Sequence, residues 1–521
     1  MRLPLRALVW VLLPLLGGAT LLAQDTVSKG GQHGWPFGVS RGEGPMASLD
    51  KRDLYNLGVL GAKAWDANRP EPEPRRTGGQ RRFRAAPRPE KDVGPERLLI
   101  RALYPDGPAM RAGLKLGDVL VGLGRRRFKG GCFAPLSKAL LRAESRKGKQ
   151  KIDLMVERGK ELLTLTAEIP FVDKSYSKPE QGKARERILK DALKWLAQQQ
   201  AENGGFRPTL GGNNGAVVMT SLAGLAWLSG GSSLDRGPQA KNLQAALDFV
   251  TSALGAKSPL DGRRPGGANW DQSTWAYAHA GIFLGELQHV SPREETKQEL
   301  GRIAKELAAR QEVSGGYAHG PGGPNALGYL ELNIMAGFVL SSIGLAKQAG
   351  CEVEMDCVDK LLKYCEKSSA GGGVGYSTKN GQQGRGNIGR SAGAWLGAVA
   401  CGKGRNRFVR AMGSYVKSHV ADALGGHATL MQHILLAGLA AKASGKSSSK
   451  RFWKAMLPSF ILARAPDGSL HPRPWHESLN MQSNTDVSLG PIWTTACWAI
   501  VLGAGEGIED AGGLPAWCRS H

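Results

Sequence analysis

Three acidic residues lie at or near the starts of predicted apolar helices, where carboxyl groups could carry out hydrolysis. They are Asp271, Glu331 and Asp486. Glycoside hydrolysis needs two carboxyl groups, one of them protonated, on either side of the scissile bond. Glu331 is the best single candidate, because a carboxylate inside an apolar helix must be paired or have a raised pKa. The alternative is a structural carboxylate that Arg390 or a neighbouring histidine satisfies.

A second set of residue types near the same helix starts would suit β-elimination from a uronate polysaccharide. That reaction needs a group that neutralises the substrate carboxylate, a base and an acid. Asn387, Arg390, His279 and Tyr277 supply these types, and the formal net charge of +24 suits an anionic substrate. The alternative is that each histidine is a hydrogen-bonded structural residue. Other polar and aromatic residues at these helix starts are predicted to line a cavity: Trp270, Tyr277, Tyr329, Asn333, Asn387, His433, Trp475 and His476.

The histidines and cysteines do not follow a metal-binding pattern. The sequence has no C-x-x-C, and His427 and His433 are not spaced as ligands on one helix face. The seven cysteines are an odd number, so at least one thiol is left unpaired. We predict no metal, no cofactor, and mostly buried cysteines without partners.

Two alternating kinds of helix must position these residues. Amphipathic segments such as 185–200 have one apolar stripe, whereas segments such as 215–228 (GAVVMTSLAGLAWL) are apolar on all sides. Helices of the second kind must be enclosed, and amphipathic helices belong outside them. Six helices of each kind in alternation predict an all-α (α/α)6 toroid over 184–505, with six inner and six outer helices.

A short repeat joins an outer helix to the next inner one. The segments 200–206 (QAENGGF) and 311–317 (QEVSGGY) share the pattern Gln-x-x-x-Gly-x-aromatic. The pattern resembles the repeat of the triterpene cyclase and protein prenyltransferase toroids, and the resemblance implies the fold. The chain departs from these families in chemistry: it has no Asp-Asp pair, and Cys401 and Cys497 lie toward the far ends of their helices. The resemblance therefore supplies no catalytic residues.

The segment 107–124 (GPAMRAGLKLGDVLVGLG) resembles the S-P-A-x-x-A-G-L-x-x-G-D motif of bacterial PDZ domains. This resemblance implies a small mixed α/β domain over 35–170 that binds an extended peptide or a protein C-terminus by strand addition. The carboxylate-binding loop of the family corresponds to Leu57, Gly58 and Val59, and Leu60 begins the groove strand. The alternative is that Gly58 only makes a turn. An insertion at 68–97, rich in proline, glycine and arginine, is predicted to be a disordered basic loop.

The first 23 residues are typical of a secretory signal, with a basic start and an apolar run too short for a membrane span of about 20 residues. We expect an exported protein, in the periplasm, at the cell surface or outside the cell, with no transmembrane segment. A linker at 171–183 and a tail at 506–521 complete the predicted organisation. A PDZ-like domain followed by a toroid also resembles, more loosely, a bacterial family of exported proteins with no assigned chemistry.

These patterns favour a two-module binding protein. Its groove would take an extended peptide or C-terminus, and its toroid cavity a glycan, a lipid or a polypeptide. The rival hypothesis is a polysaccharide lyase or glycoside hydrolase acting on an anionic glycan, and a third is an envelope assembly scaffold with an empty cavity. Candidate partners are an anionic glycan or an envelope protein, and export argues against nucleic acid. The sequence leaves open whether the chain is an enzyme.

Overall fold

The computed structural model describes residues 54–69, 93–174, 178–207, 211–255, 272–321, 330–379, 386–474, 485–504 and 516–517. The predicted signal, most of the basic insertion and most of the tail lie outside the described residues. The first part of the described chain is a small antiparallel sheet with short helices, and the part from 182 onward is almost entirely helical. This confirms the prediction of a small α/β region followed by an all-α region. No helix among the described residues is long and apolar enough to cross a membrane.

The sheet contains seven strands: β1 (Tyr55–Asn56), β2 (Ala62–Asp66), β3 (Leu98–Leu103), β4 (Val119–Leu123), β5 (Arg126–Arg127), β6 (Lys151–Arg158) and β7 (Glu161–Glu168). All pairs are antiparallel, and β6 and β7 form a hairpin that is in register along its full length. Two helices accompany the sheet, α1 (Pro108–Arg111) and α2 (Phe133–Ala143). The strands lie in the order β1-β2-β3-β4-β6-β7, with β5 paired to β4.

The helical region contains twelve described helices that alternate in character. The odd-numbered helices are amphipathic and have one buried face: α3 (Gly182–Gln199), α5 (Ala240–Ala253), α7 (Glu294–Ala309), α9 (Met355–Lys367), α11 (Arg407–His419) and α13 (Lys446–Ala463). The even-numbered helices are buried on nearly all sides: α4 (Gly212–Ser229), α6 (Ser273–Val290), α8 (Asn333–Gln348), α10 (Ile388–Ala400), α12 (Leu430–Ala443) and α14 (Thr485–Gly503). We call the odd-numbered set the outer helices and the even-numbered set the inner helices.

Each inner helix contacts the next one along the chain, and the last contacts the first. The contacts run α4–α6, α6–α8, α8–α10, α10–α12, α12–α14 and α14–α4. Small residues permit this close packing. A Cβ on Gly337 in α8, for example, would lie only 2.7 Å from the Cα of Gly393 in α10.

The glutamine of the repeated turn joins two consecutive outer helices. Gln311 donates from Nε2 to the Gly315 carbonyl at 3.0 Å and to the Cys357 carbonyl in α9 at 2.8 Å. Gly315 has a φ of +87°, a conformation that favours glycine, and the Tyr317 side chain that follows is buried. The same bonds occur two repeats earlier, where Gln200, directly after α3, donates to carbonyls in its own turn and in α5.

Candidate functional site

The Glu331 carboxylate is buried but paired. Its Oε2 lies 3.1 Å from Lys379 Nζ, and its Oε1 accepts a hydrogen bond from Ser314 Oγ at 2.9 Å. Burial favours a higher pKa, but hydrogen bonds from its own backbone, Lys379 and Ser314 hold the pKa of Glu331 below its usual value. Two sequence expectations need correction. Glu331 precedes α8 rather than lying inside it, and its charged partner is Lys379, not Arg390 or a histidine.

The Asp486 carboxylate links the starts of two inner helices. It lies in the first turn of α14, and its Oδ2 accepts from the backbone N–H groups of Leu430 at 2.7 Å and Met431 at 3.1 Å, in the first turn of α12. Its Oδ1 accepts from Trp493 Nε1 at 2.9 Å. Burial raises the pKa of Asp486 to about 7, although the three N–H donors favour the ionised form. The third predicted carboxylate, Asp271, lies outside the described residues.

His279 lies in an aromatic cluster. Its Nδ1 is 2.8 Å from the Trp275 carbonyl oxygen, and its ring stacks on Phe338 of α8 with 4.3 Å between the ring centroids. Trp275 Nε1 donates to Nδ1 of His319 at 2.8 Å. Burial lowers the pKa of His279 and of His319 to about 4, so both imidazoles are neutral at pH 7. His279 Nε2 is buried and has no hydrogen-bond partner within the described part of the chain.

Arg390 and Asn387 organise the start of α10. Asn387 is the N-cap, and its Oδ1 accepts from the backbone N–H groups of Gly389 and Arg390. Arg390 is buried, donates from Nε to the Val374 carbonyl at 3.2 Å, and lies over the Tyr376 ring at 5.6 Å. These contacts account structurally for two residues that we predicted from their chemical types.

Two of the predicted cavity residues contact the outer layer. The Tyr277 ring lies 4.1 Å from the guanidinium carbon of Arg310, directly after the outer helix α7. Asn333 is fully buried and donates from Nδ2 to Ser368 Oγ at 2.8 Å. Both therefore fasten an inner helix to the outer layer.

His433 of α12 packs against the start of α10. Its Nε2 accepts from the His427 backbone N–H at 3.2 Å, and a Cβ on Gly389 would lie 2.2 Å from its Nδ1. Burial lowers the pKa of His433 to about 3, and nearby Arg390 contributes in the same direction. The remaining predicted cavity residues lie outside the described residues: Trp270, Tyr329, Trp475 and His476.

Glu331, Asp486 and His279 thus each contact a different set of residues. Among the described residues, no group of three or more His, Cys, Asp or Glu side chains could hold a metal ion. Six cysteines are described, and no disulfide joins any two of them. Burial raises the pKa of Cys365 and of Cys401 to about 12, which keeps both thiols protonated and unreactive.

The predicted peptide-binding loop is in contact with the helical region. Leu57, Val59 and Leu60 are buried, and Gly58–Leu60 forms a 3-10 turn. Gly58 has a φ of +68°, and a Cβ there would lie 2.9 Å from the Ile461 carbonyl oxygen of α13. The groove strand β2 pairs with β1 on one edge and with β3 on the other. In this structure the loop therefore contacts α13, and both edges of its strand are paired with other strands of the same sheet.

A buried polar chain crosses the same contact, and no sequence motif predicted it. Lys63 Nζ of β2 lies 3.1 Å from His471 Nδ1, and Ser469 Oγ lies 2.9 Å from His471 Nε2. Ser469 Oγ also donates to Asp467 Oδ1 at 2.6 Å. Burial lowers the pKa of Lys63 to about 7. The only sequence signal was a lysine between two alanines of a strand.

The segment 516–517 is held by two inner helices. The backbone N–H groups of Ala516 and Trp517 donate to the Glu286 carboxylate of α6, and the indole Nε1 of Trp517 donates to Ser341 Oγ of α8 at 2.9 Å. All four residues are buried. No sequence pattern pointed to this contact.

The orientation of Ser341 shows which face of α8 holds the indole. On one side of this residue, Ser342 faces α6, since a Cβ on Gly281 would lie 1.8 Å from Ser342 Oγ. On the other side, Gly344 faces α10, since a Cβ there would lie 2.6 Å from the Cβ of Ala400. Ser341 lies between these two contact faces, turned away from the outer layer.

Comparison with known proteins identifies one family. No curated protein matches the chain. The family described as a domain of unknown function (DUF6288) matches residues 185–503, which include every helix from α4 to α14 and nearly all of α3. The match covers more than half of the 521 residues, and the chain therefore belongs to the DUF6288 family.

Proposed function

We propose that this chain is an exported binding protein in which the twelve helices form a closed (α/α)6 toroid whose lumen holds a polypeptide segment. The supporting observation for closure is the contact of α14 with both α12 and α4. The observation that carries the choice of ligand is the seating of Ala516 and Trp517 on Glu286 and Ser341. A segment of the chain itself thus occupies the place that we assign to a polypeptide ligand.

The chemistry of this contact suits a polypeptide better than a glycan or a lipid. The Glu286 carboxylate accepts two backbone N–H groups, which are donors that every peptide offers. A buried carboxylate also repels a uronate or a lipid phosphate, because like charges interact strongly at low dielectric. The buried indole supplies the large apolar contact area that is typical of residues dominating a binding interface.

The sheet region is the second module of this proposal, with a PDZ-like fold. Its support is the turn after α1. There the Asp118 carboxylate accepts two hydrogen bonds from the Arg158 guanidinium and one from the backbone N–H of Lys115. Peptide binding at the loop of Leu57 to Leu60 would require α13 to separate from it. The loop therefore serves first as the contact that docks the sheet onto the helices.

A full-length Trp517→Ala variant tests the lumen proposal. The probe is a fluorescein-labelled peptide with the sequence of residues 505–521, followed by fluorescence anisotropy. We expect the variant to bind the peptide at least about tenfold more tightly than the parent chain, whose own segment competes at high effective concentration. A peptide in which Trp517 is replaced by alanine is the matched control.

Adding Glu286→Gln to the Trp517→Ala chain should weaken peptide binding, because the carboxylate loses its charge-assisted hydrogen bonds. Equal binding of the native and control peptides, or no binding by a variant whose circular dichroism is unchanged, would contradict the proposal.

A second candidate is an enzyme that acts on an anionic glycan, as a glycoside hydrolase or a lyase. One observation favours it: Asp486, whose pKa is raised to about 7, lines a cavity of about 10 Å³ together with His471 and Arg473. That volume suits one water molecule, so a sugar could enter only after rearrangement. A screen for new reducing ends or unsaturated-uronate absorbance, with Asp486→Asn as control, decides this candidate; no product across a broad glycan panel would eliminate it.

A further inference from the structure

A cleft lies where the sheet region meets the helical region. It has a volume of about 520 Å³ and lies between α2 and α13. Its floor is apolar, formed by Leu141 from α2 and by Leu457 and Pro458 from α13. This size is within the range of small-molecule sites, and a junction between two structural units is a common place for one.

Four cations line the cleft around this floor, and none of the described lining residues is a carboxylate. They are Lys138, Arg142, Lys147 and Lys454, all of them exposed. None of the four forms an ion pair within the residues that the structure describes. Lys138 and Arg142 are also four residues apart on one helix face, where like charges repel.

Some cations elsewhere on the described surface are paired with carboxylates. Lys360 lies 2.6 Å from Asp356, and Lys403 lies 2.6 Å from an aspartate of α9. Lys360 lies in the outer helix α9, and Lys403 lies in the turn between α10 and α11. The cleft instead concentrates part of the chain's excess positive charge around an apolar surface. This combination stabilises a ligand that offers both an anionic group and an apolar body.

We propose that this cleft binds an anionic amphiphile, with a phosphate headgroup held by Lys138, Arg142, Lys147 and Lys454 and an acyl chain on Leu141, Leu457 and Pro458. The guanidinium of Arg142 is suited to two parallel hydrogen bonds with phosphate oxygens. The acyl chain covers Leu457 and Pro458, which are only partly buried. A free phosphate would use only the rim of this cleft, and a zwitterionic lipid would bring a quaternary ammonium that the four cations repel.

Titration calorimetry on the full chain tests this assignment with three probes. They are dihexanoyl phosphatidylglycerol below its micelle concentration, dihexanoyl phosphatidylcholine with the same tails, and glycerol 3-phosphate without tails. We expect phosphatidylglycerol to bind at least about tenfold more tightly than either of the other two probes. Phosphatidylcholine lacks the net negative charge and glycerol 3-phosphate lacks the acyl chains, and each loss should weaken binding by about that factor.

Two double variants complete the experiment. Lys138→Gln with Arg142→Gln should weaken phosphatidylglycerol binding at least about tenfold. Lys305→Gln with Lys363→Gln removes two exposed cations from outer helices α7 and α9, and should change binding less than about twofold. Leu457→Ser should weaken phosphatidylglycerol binding and leave the glycerol 3-phosphate signal unchanged.

Several results would overturn the proposal. Equal affinity for glycerol 3-phosphate and phosphatidylglycerol would show a phosphate site without a lipid, and equal affinity for the two lipids would show that the net charge of the ligand plays no part. Equal losses in the two double variants would show a nonspecific effect of net charge. Absence of binding by all three probes to the folded chain would also reject it.

Discussion

The guanidinium of Arg464 forms a two-pronged ion pair with the carboxylate of Glu144. The Nη2–Oε1 distance is 2.8 Å and the Nη1–Oε2 distance is 2.9 Å, and both side chains are buried. Glu144 directly follows α2 and Arg464 directly follows α13. The pair therefore joins the end of a helix in the sheet region to the end of a helix in the helical region.

Glu144→Gln should destabilise the chain by roughly 3–5 kcal/mol, because it leaves a buried guanidinium without its counter-charge. Urea unfolding followed by circular dichroism measures the loss. Replacing both partners, Glu144→Leu with Arg464→Met, should recover most of the stability, since apolar side chains of similar volume often substitute for a buried pair. A single variant that unfolds at the parent midpoint would show that the pair contributes nothing to the contact.

Gly58→Ala should destabilise the chain by roughly 2–4 kcal/mol, from left-handed backbone strain plus a clash with Leu140 and the Ile461 carbonyl. Gly113→Ala is the matched control: its φ is +84° and a Cβ there meets nothing within 4 Å, so only strain of about 1 kcal/mol applies. The difference between the losses of unfolding free energy in the two variants measures how much the contact of the loop with α13 contributes to stability. Equal losses would mean that the loop is not held against this helix.

Asp486→Ala should cost roughly 2–4 kcal/mol, because the backbone N–H groups of Leu430 and Met431 and the indole of Trp493 lose their buried acceptor. Thermal unfolding measures the change. Asp356→Ala, which removes an exposed carboxylate, should leave the melting temperature unchanged. If both variants have the same melting temperature, the link between α12 and α14 does not depend on the Asp486 carboxylate.

The buried histidines should make the fold sensitive to acid. His279 has a folded-state pKa of about 4, below the usual histidine pKa of 6.5, so between these values the unfolded state binds more protons. Stability is therefore lost as the pH falls from 6.5 toward 4, by as much as about 1.4 kcal/mol per pH unit for this group. His279→Phe keeps a ring against Phe338 and should reduce the slope of unfolding free energy between pH 6.5 and 4.5. Equal slopes of unfolding free energy against pH in the parent and the variant would contradict this assignment.

The helices could be predicted from the sequence because their signal is local. The segment 215–228 is apolar in every direction and becomes the buried helix α4, whereas Glu294–Ala309 has one apolar stripe and becomes the outer helix α7. The turn of Gln311 was predictable for the same reason, since its pattern spans only seven residues. Each of these features depends on neighbours within one or two helical turns.

The partners of the polar residues could not be predicted, because they come from distant parts of the chain. Lys379 is 48 residues from Glu331, and Glu286 is 231 residues from Trp517. No spacing rule connects such positions. Leu57 and Val59 show a related difficulty: apolar side chains around a glycine suit both a peptide groove and a contact with another part of the chain, and composition cannot separate these two uses.

The contact between α14 and α4 has a consequence for synthesis of the chain. Ser229 Oγ of α4 lies 3.5 Å from the Ala499 carbonyl oxygen, and 270 residues separate the two. At about 5–20 residues per second, translation of that interval takes on the order of tens of seconds. Throughout this time the flank of α4 that later touches α14 stays uncovered on the nascent polypeptide. The last inner helix to leave the ribosome therefore sets the moment at which this apolar surface is shielded from aggregation.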